Sequence, residues 1–526
     1  MNSQTAGDSG STREKVIVLD FGGQYSMLIA RRVREARVYC ELLPCHTPWA
    51  EIKKLNPSGI IFSGGPASVY LDGSPSCDPQ IFSGGVPLLG ICYGMQLLAK
   101  ELGGRVEKGS RSEFGRTAFT IEEGAPLFND ACFNNETCRF GWMSHQDEVL
   151  APPPGFRVLA RSENGAVAAI GDLERRLYGL QFHPEVYHTP GGSAILKSFL
   201  YDVCSCRASW TPRDFVEQAV EQIRVAVGPE RKVVCALSGG VDSSVVAFLL
   251  DRAVGERFVS IFVDHGLLRK GESEQVTELF SRRLKGEFIR VDARDRFLQC
   301  LSGVIDPEAK RRIIGAEFIN VFKEKALSLG DITYLAQGTI YPDVIESGSG
   351  NGAAVIKSHH NVGGLPEELG FDLIEPLREL FKDEVRLVGE ELGLPEAVLK
   401  RQPFPGPGLA VRIIGDITAE KLALLQEADA VFREEVEKAG LAGGLWQYFV
   451  VLTGVNVVGV KGDNRHYGPV VALRAVVSED AMTADWARLP FDLLERVSTR
   501  ITGEIPAVAR VVYDVTSKPP GTIEWE

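Results

Sequence analysis

The chain is poor in the features that mark several whole classes of protein. It has 10 cysteines among 526 residues, thinly scattered, so a disulfide scaffold is not expected and a reducing cytosol fits. No stretch approaches the roughly 18 unbroken apolar residues of a membrane span. The opening MNSQTAGDSGST is polar and lacks the apolar core of a signal peptide, so it reads as a loose tail. Basic charge is short as well: 57 Lys and Arg stand against 70 Asp and Glu, a net charge of −13. That balance argues against a broad nucleic-acid surface and requires any positive charge to be local. There is no internal repeat, no low-complexity tract beyond the tail, and no Gly-Lys dipeptide, which excludes a Walker A loop.

What is present is a globular composition, 44% hydrophobic and 24% charged, on a length that suggests about three domains. Short apolar runs such as 16–19, 59–62 and 86–91 end in turn-forming or Gly-rich stretches, and the last leads into a helical pattern over 94–102. Repeated strand–loop–helix units predict an α/β fold with mainly parallel sheets. The pattern restarts at Thr211-Pro212, where Pro212 suits the first position of a helix. A second α/β series starts at Lys232 and ends near RQPFPGPG (401–408), where three prolines and two glycines cannot continue a helix. Beyond lie a helical stretch (419–439) and β-rich runs, an α+β segment. The expected domains are therefore 13–206, 207–401 and 402–526.

Three constellations carry chemistry. In Gly90-Ile91-Cys92-Tyr93-Gly94 a strand runs into the cysteine and a helix leaves it, a cysteine version of the nucleophile elbow. The helix N-terminus favours thiolate, and the Tyr93 N–H is placed to meet an oxyanion. A lone cysteine is more often a small buried hydrophobe. The reading gains weight from Gln181-Phe182-His183-Pro184-Glu185, where residues two apart in an extended segment let Glu185 hold His183 as a base. The second constellation is Ser238-Gly239-Gly240-Val241-Asp242-Ser243-Ser244, between an apolar strand and an apolar helix. Its backbone N–H groups, hydroxyls and helix N-terminus suit a phosphate chain. Asp242 fits either a Mg²⁺ contact or a carboxylate that caps the loop. The third is dispersed. Lys310, Arg311 and Arg312 stand in a row that is either a solvated face or a partner for phosphate charge; 356–366 has a mobile loop's composition and is either a plain loop or a lid whose Lys357 reaches a nucleotide; Lys382 in ELFKDEVR is offered similarly. The end of the chain, DVTSKPPGTIEWE, reads either as a final strand completing a sheet or, through Lys518 and Glu524 on either side of a Pro-Pro turn, as a grip for a small polar ligand.

GICYGMQ (90–96), FSGGP (62–66) and HPE (183–185) resemble the signature of class I glutamine amidotransferases. The resemblance implies Cys92 as nucleophile, His183 as acid/base and Glu185 as its orienter. It also implies an oxyanion hole from the backbone of Gly65 and Tyr93, with Gln96 near the bound glutamine. WMSHQD (142–147) resembles the family's WMSHGD, which implies that Ser144 and His145 help hold glutamine; Gln146 replaces the glycine. SGGVDSS resembles the PP-loop of N-type ATP pyrophosphatases, implying a doubly wound α/β domain that cleaves ATP to AMP and pyrophosphate. Taken whole, from LDFGGQYS (19–26) through GTIYPDVIES (338–347), QPFPGPGLA (402–410) and MTADWARLP (482–490) to KPPGTIEWE, the chain resembles the glutamine-hydrolysing GMP synthase family. That implies amination of XMP, with ATP and Mg²⁺ required. XMP would be held by Arg311, Gln447, Lys518, Ile523 and Glu524, and ATP by residues 238–244 with Lys357 and Lys382. A C-terminal α+β dimerisation domain would make a cytoplasmic homodimer with no nucleic-acid or membrane partner. Asn456 and His466 stand where many members carry a basic residue and Thr. The rivals are a PP-loop enzyme modifying tRNA, which the −13 charge opposes, and an inactive scaffold that keeps the fold.

Overall fold

The computed structural model describes residues 14–128, 140–348, 370–478 and 483–526. Lys357 and the rest of the expected lid lie outside the described residues, as does Met482. The chain divides into two compact units, Met1–Thr211 and Pro212–Glu526.

Among the described residues, the first unit is built on nine strands: β1 (Lys15–Asp20), β2 (Tyr39–Pro44), β3 (Gly59–Phe62), β4 (Leu88–Ile91), β5 (Arg105–Ile121), β6 (Phe140–Ala151), β7 (Arg157–Ser162), β8 (Val167–Asp172) and β9 (Leu177–Leu180). They form one sheet in the order β2-β1-β3-β4-β9-β8-β7-β5-β6. In β3, β4 and β9 every residue is buried, as expected of strands covered on both faces. The expectation of a mainly parallel sheet holds for only half of this one. The pairs from β2 to β9 are parallel, whereas those from β9 through β8, β7 and β5 to β6 are antiparallel. The difference is local: β7, β8 and β9 are joined by short turns, and strands paired through short turns run antiparallel. Because β1, β3, β4 and β9 point the same way, the segments following them emerge at one edge, where ligands bind in open α/β sheets.

The second unit begins with a helix at Pro212 and holds a fully parallel sheet. Its strands β10 (Lys232–Ala236), β11 (Phe258–Asp264), β12 (Glu287–Asp292), β13 (Ile332–Ala336) and β14 (Asp372–Ile374) lie in the order β12-β11-β10-β13-β14. The chain therefore winds outward from β10 to β12, then returns to the other side of β10, creating a switch point between β10 and β13. A second, mainly antiparallel sheet contains β15 (Gln447–Lys461), β16 (Asn464–Val477), β17 (Asp485–Trp486) and β18 (Arg510–Tyr513). The two runs YFVVL and VNVVGV are one strand, β15, interrupted by a register shift between Leu452 and Asn456 where Gly454 adopts φ +73°. A final strand within 514–526, one of the two readings of that segment, does not form; the last strand ends at Tyr513, and the tail follows side-chain partners described below.

One continuous apolar core joins the two sheets of this unit. It runs from Val234 and Ile261 of the parallel sheet, through Leu425 and Phe432 of the helix Ala419–Lys438, to Val450 and Leu473 of the antiparallel sheet. Leu425 is fully buried at its centre. Leu425→Ala should therefore destabilise the second unit by about 2–5 kcal/mol, the range for a cavity in such a core. Urea unfolding checks it: a loss below about 1 kcal/mol would mean that the site collapses around the smaller side chain.

Candidate active sites

In the first unit β4 delivers Cys92 to the sheet edge with φ +52° and ψ −105°, and the helix Tyr93–Glu101 starts at the next residue. This sharp turn requires both flanking glycines. A Cβ on Gly90 would lie 2.5 Å from the Gly94 carbonyl, and one on Gly94 would lie 2.6 Å from the Phe62 side chain. The loop after β3 is packed as tightly: a Cβ on Gly65 would meet the Phe21 oxygen at 2.8 Å, and one on Gly64 would meet the His183 ring at 3.1 Å. The elbow, FSGGP and FGG segments are thus in backbone contact, with no room for side chains between them.

His183 and Glu185 follow β9. His183 Nδ1 shares a 2.7 Å hydrogen bond with Glu185 Oε1, and both residues are buried. The strand-like geometry is held by the His183 N–H donating to the Trp142 oxygen (3.0 Å) and the Thr189 hydroxyl donating to the His183 oxygen (2.7 Å). Tyr25 meets the imidazole edge-on at 5.2 Å. Burial disfavours a charged imidazole, but the Glu185 carboxylate and hydrogen bonding to Cys92 outweigh it and raise the His183 pKa well above the ordinary 6.5. The proton on His183 thus contributes stability that is full below about pH 6.5 and is lost as pH rises through the raised value.

The remaining expected residues of this site have specific surroundings. Ser144 is exposed, and its carbonyl oxygen lies 3.7 Å from Cys92 Sγ. His145 is buried on β6, its ring nitrogens engaged by the Asp147 oxygen (3.0 Å) and Glu113 Oε2 (3.1 Å). Gln96 is buried and donates both to the Asp147 oxygen (2.9 Å) and to Gln181 Oε1 (3.2 Å). Gln146 continues the strand without a positive φ, so the backbone there does not depend on the glycine it replaces. Gln181, not singled out from the sequence, donates to Cys92 Sγ at 3.6 Å. Its only signal was adjacency to the HPE triplet.

In the second unit the Ser238–Ser244 loop follows β10, at the switch point, and Gly240 precedes the helix Val241–Val254. Gly239 needs its positive φ of +75°, and a Cβ there would strike Val276 at 2.7 Å. The Ser238 and Ser243 hydroxyls lie 3.0 Å apart and brace the turn, with Ser238 Oγ accepting from the Gly240 N–H. Ser244 is fully buried and donates to the Gly240 oxygen (2.7 Å), so it supports the loop from within. Lys382, at the start of another helix, forms an ion pair with Asp242 Oδ2, while Asp242 Oδ1 is buried with no hydrogen-bond partner among the described residues. Gly338, just beyond β13, packs against Asp242: a Cβ there would lie 3.3 Å from the Asp242 Cβ. Arg401 donates to the Gly239 oxygen at 2.6 Å, a support the sequence did not disclose.

The expected row Lys310–Arg311–Arg312 is dispersed, because successive residues on a helix point about 100° apart. All three lie on the helix Pro307–Ser328. Arg312 is exposed, whereas Lys310 is fully buried and donates to the oxygens of Ala410 (3.3 Å) and Ile413 (2.7 Å) and to the Glu526 carboxylate. Lys310 is therefore consumed inside the fold and not available to a phosphate. Arg311 reaches Glu308 and the Glu526 main-chain oxygen. The tail is held by two further buried cations that the sequence hid within apolar runs. Arg412 makes a bidentate pair with Glu524 (2.8 and 3.0 Å) and lies 3.9 Å from the Phe449 ring centroid. Arg474, toward the end of β16, pairs with Asp514 and donates to the oxygens of Thr522 and Ile523. Ile523 packs beside Phe449 and Ala484, and the Lys518 backbone exchanges two hydrogen bonds with Ala484. Gln447 donates to the Pro403 oxygen at 2.8 Å. On the β15–β16 hairpin, Asn456 pairs in register with Pro469, and the His466 ring contacts the Ala507 oxygen at 3.0 Å.

A cysteine elbow with a His–Glu pair on one sheet, and a glycine–serine phosphate loop at the switch point of another, define an amidotransferase joined to a nucleotide-using synthetase. Family comparison agrees segment by segment. Residues 17–203 match the class-I glutamine amidotransferase model, 212–311 the NAD synthase model and 434–525 the GMP synthase C-terminal domain model. The chain is 58% identical over 514 residues to GMP synthase [glutamine-hydrolyzing] of Caldicellulosiruptor saccharolyticus, covering 98% of this chain and 99% of that one. It is also 58% identical over 512 residues to that of Carboxydothermus hydrogenoformans, covering 97% and 99%. The chain belongs to the glutamine-hydrolysing GMP synthase family.

If Glu185 is what keeps His183 protonated, Glu185→Gln leaves burial as the dominant influence, and the imidazole pKa should fall by about one unit or more. An NMR titration of the histidine ring carbons measures this directly. An unchanged midpoint would mean that the carboxylate does not control the proton.

Proposed function

We propose that this chain makes GMP from XMP, ATP and glutamine, freeing ammonia at Cys92 and activating XMP at the 238–244 loop. The reading is carried by one observation: both chemical sites occur in a single chain that belongs to the GMP synthase family along nearly its whole length. The overall reaction is XMP + ATP + glutamine + water to GMP + AMP + pyrophosphate + glutamate.

At the first site the Cys92 thiolate adds to the side-chain amide carbon of glutamine, and the N–H groups of Gly65 and Tyr93 receive the resulting oxyanion. His183, protonated beside Glu185, hands its proton to the departing nitrogen as the C–N bond breaks. It then takes a proton from the water that cleaves the thioester to glutamate. Ser144, His145 and Gln96 border the space in which glutamine is held, Gln96 through its carbonyl oxygen, since its N–H groups are engaged.

At the second site the backbone of Ser238, Gly239, Gly240 and Val241, with the hydroxyl of Ser243, cradles the ATP phosphates at the helix N-terminus, and Ser244 fixes the loop from behind. Lys382 adds positive charge, as Lys357 is proposed to do. The C2 oxygen of XMP attacks the α-phosphorus, the bond to the pyrophosphate oxygen breaks, and ammonia then displaces AMP from C2. Asp242 fits Mg²⁺, because one carboxylate oxygen is buried with no partner among the described residues while the other is committed to Lys382. When bound, Mg²⁺ would neutralise charge on the ATP phosphates. XMP is assigned to Arg311, Gln447, Lys518, Ile523 and Glu524, around the strapped tail.

A homodimer is part of the same reading. Val458 and Tyr467, cross-strand partners on the hairpin, and nearby Val460 are exposed apolar side chains of the kind a second copy would cover. So is a cytoplasmic setting, with none of the eight described cysteines in a disulfide. Among the described residues, no helix is long and apolar enough to cross a membrane.

Cys92→Ala should abolish glutamine-driven synthesis yet leave amination by added ammonium salts; loss of both would contradict two separable sites. Asp242→Ala should stop pyrophosphate release with either nitrogen source. The reading as a whole turns on product analysis: XMP-dependent conversion of ATP to AMP and pyrophosphate is expected, and formation of ADP would overturn it.

A further inference from the structure

Gln181 and Gln96 form a directional relay behind the sulfur. The Asp147 main-chain oxygen can only accept, so the Gln96 group that faces it at 2.9 Å must be the NH₂ end of the amide. The second hydrogen on that nitrogen is then directed to Gln181 Oε1 at 3.2 Å. With its oxygen so occupied, Gln181 must turn its own NH₂ the other way, and there it meets Cys92 Sγ at 3.6 Å. Two amides that could each face either way are thereby set by one backbone carbonyl. Gln181 is fully buried, and its backbone N–H is fixed to the Ala168 oxygen at 2.9 Å, so water does not compete for this donor. Cys92 is tied to the same strand end, since its N–H donates to the Leu180 oxygen at 2.7 Å. A donor fixed in this way strengthens its bond as the sulfur becomes negative.

We propose that Gln181 is a further catalytic residue of the glutaminase site, donating an N–H to the attacking sulfur, and that Gln96 is a positioning residue setting the direction of that donor. The inference rests on the proposed nucleophilic role of Cys92. The donor stabilises the thiolate before attack and again when the thioester C–S bond breaks, when the electron pair returns to sulfur. Among the described residues the titratable groups near the sulfur include His183, with Glu185 behind it and Tyr25 against its ring, the adjacent Tyr93, whose hydroxyl donates to the Pro75 oxygen, and the β5–β6 group of His145, Glu113 and Asp147. His145 and Glu113 are engaged with each other, and Asp147 accepts from Tyr70. The change on removing the Gln181 donor should therefore register on the Cys92–His183 pair.

The test is the pH dependence of Cys92 alkylation by iodoacetamide in the full chain, read alongside glutaminase kinetics. Gln181→Leu should move the alkylation midpoint up by about one pH unit and lower glutaminase kcat by about tenfold, with KM for glutamine little changed. Gln96→Leu, which frees the Gln181 amide to turn, should move the midpoint in the same direction by less. Gln181→Glu keeps the size and shape of the side chain should Gln181→Leu fail to fold. By placing an acceptor against the sulfur, it should raise the midpoint further. An unchanged midpoint in a folded Gln181 variant overturns the inference, as does a rise in KM with kcat preserved, which would make Gln181 a substrate contact. The two failures are separable: activity surviving in Cys92→Ala defeats the nucleophile reading itself, whereas an inactive Cys92→Ala with an unshifted Gln181 midpoint defeats only the relay.

Discussion

The first site depends on a backbone conformation that an L-amino acid resists. Cys92 at φ +52° costs of order 1–3 kcal/mol, and it is the turn that lifts the thiol off the end of a buried strand. The surrounding packing offsets that strain. Seven of the nine residues in the following helix are buried, Met95, Leu97 and Leu98 among them, and each fully buried side chain of that size contributes roughly 1.5–3 kcal/mol. The glycines at 90 and 94 supply no packing themselves; they remove the atoms that would prevent it. FSGGP and FGG follow the same logic, since loops that meet backbone to backbone around a reactive sulfur leave no volume for a Cβ. The His–Glu pair reaches this point because β9 runs parallel to β4 and ends beside it.

The second unit solves a different problem, which is to hold anionic substrates on an acidic chain. Its charge is not spread as a basic surface. Lys310, Arg412 and Arg474 are fully buried, and each is paired with carboxylates or main-chain oxygens from the C-terminal tail or neighbouring loops. Buried cations are tolerated only when paired and hydrogen-bonded, and removing one partner costs several kcal/mol. The tail is thus held by ionic and hydrogen-bonding contacts in place of a strand ladder. This arrangement keeps Glu524 and Ile523 in register with residues from strands and helices far away in sequence. At the proposed ATP site Lys382 is already paired with Asp242, so a bound nucleotide would have to compete for that lysine or recruit a cation to the carboxylate.

Much of this was legible in the sequence, for identifiable reasons. GICYGMQ and SGGVDSS could be read because their glycines are dictated by local backbone geometry, and local geometry is what a short motif encodes. HPE could be read because extended spacing places residues two apart on one side. The antiparallel half of the first sheet could not be read from strand-forming runs alone, since pairing direction is set by the connections. Lys310 was misplaced for a related reason: adjacency in sequence means divergence on a helix. Arg412 and Arg474 escaped notice because they sit in apolar contexts and their partners lie about 110 and 40 residues away.

Gln181 shows a further kind of concealment. Its neighbours in sequence were noticed, but a glutamine in an apolar strand end carries no sign of which way its amide points. That orientation arises only when Gln96 from the elbow helix, Asp147 from β6 and Gln181 from beyond β9 are brought together. A motif can specify a thiol and its base, because those groups need only be near each other. A directed hydrogen bond to the sulfur needs a third and a fourth partner to break the symmetry of the amide. Here those partners come from separate elements of the sheet. The parts of the site that depend on chemical identity are therefore written locally, and the parts that depend on direction are written in the packing.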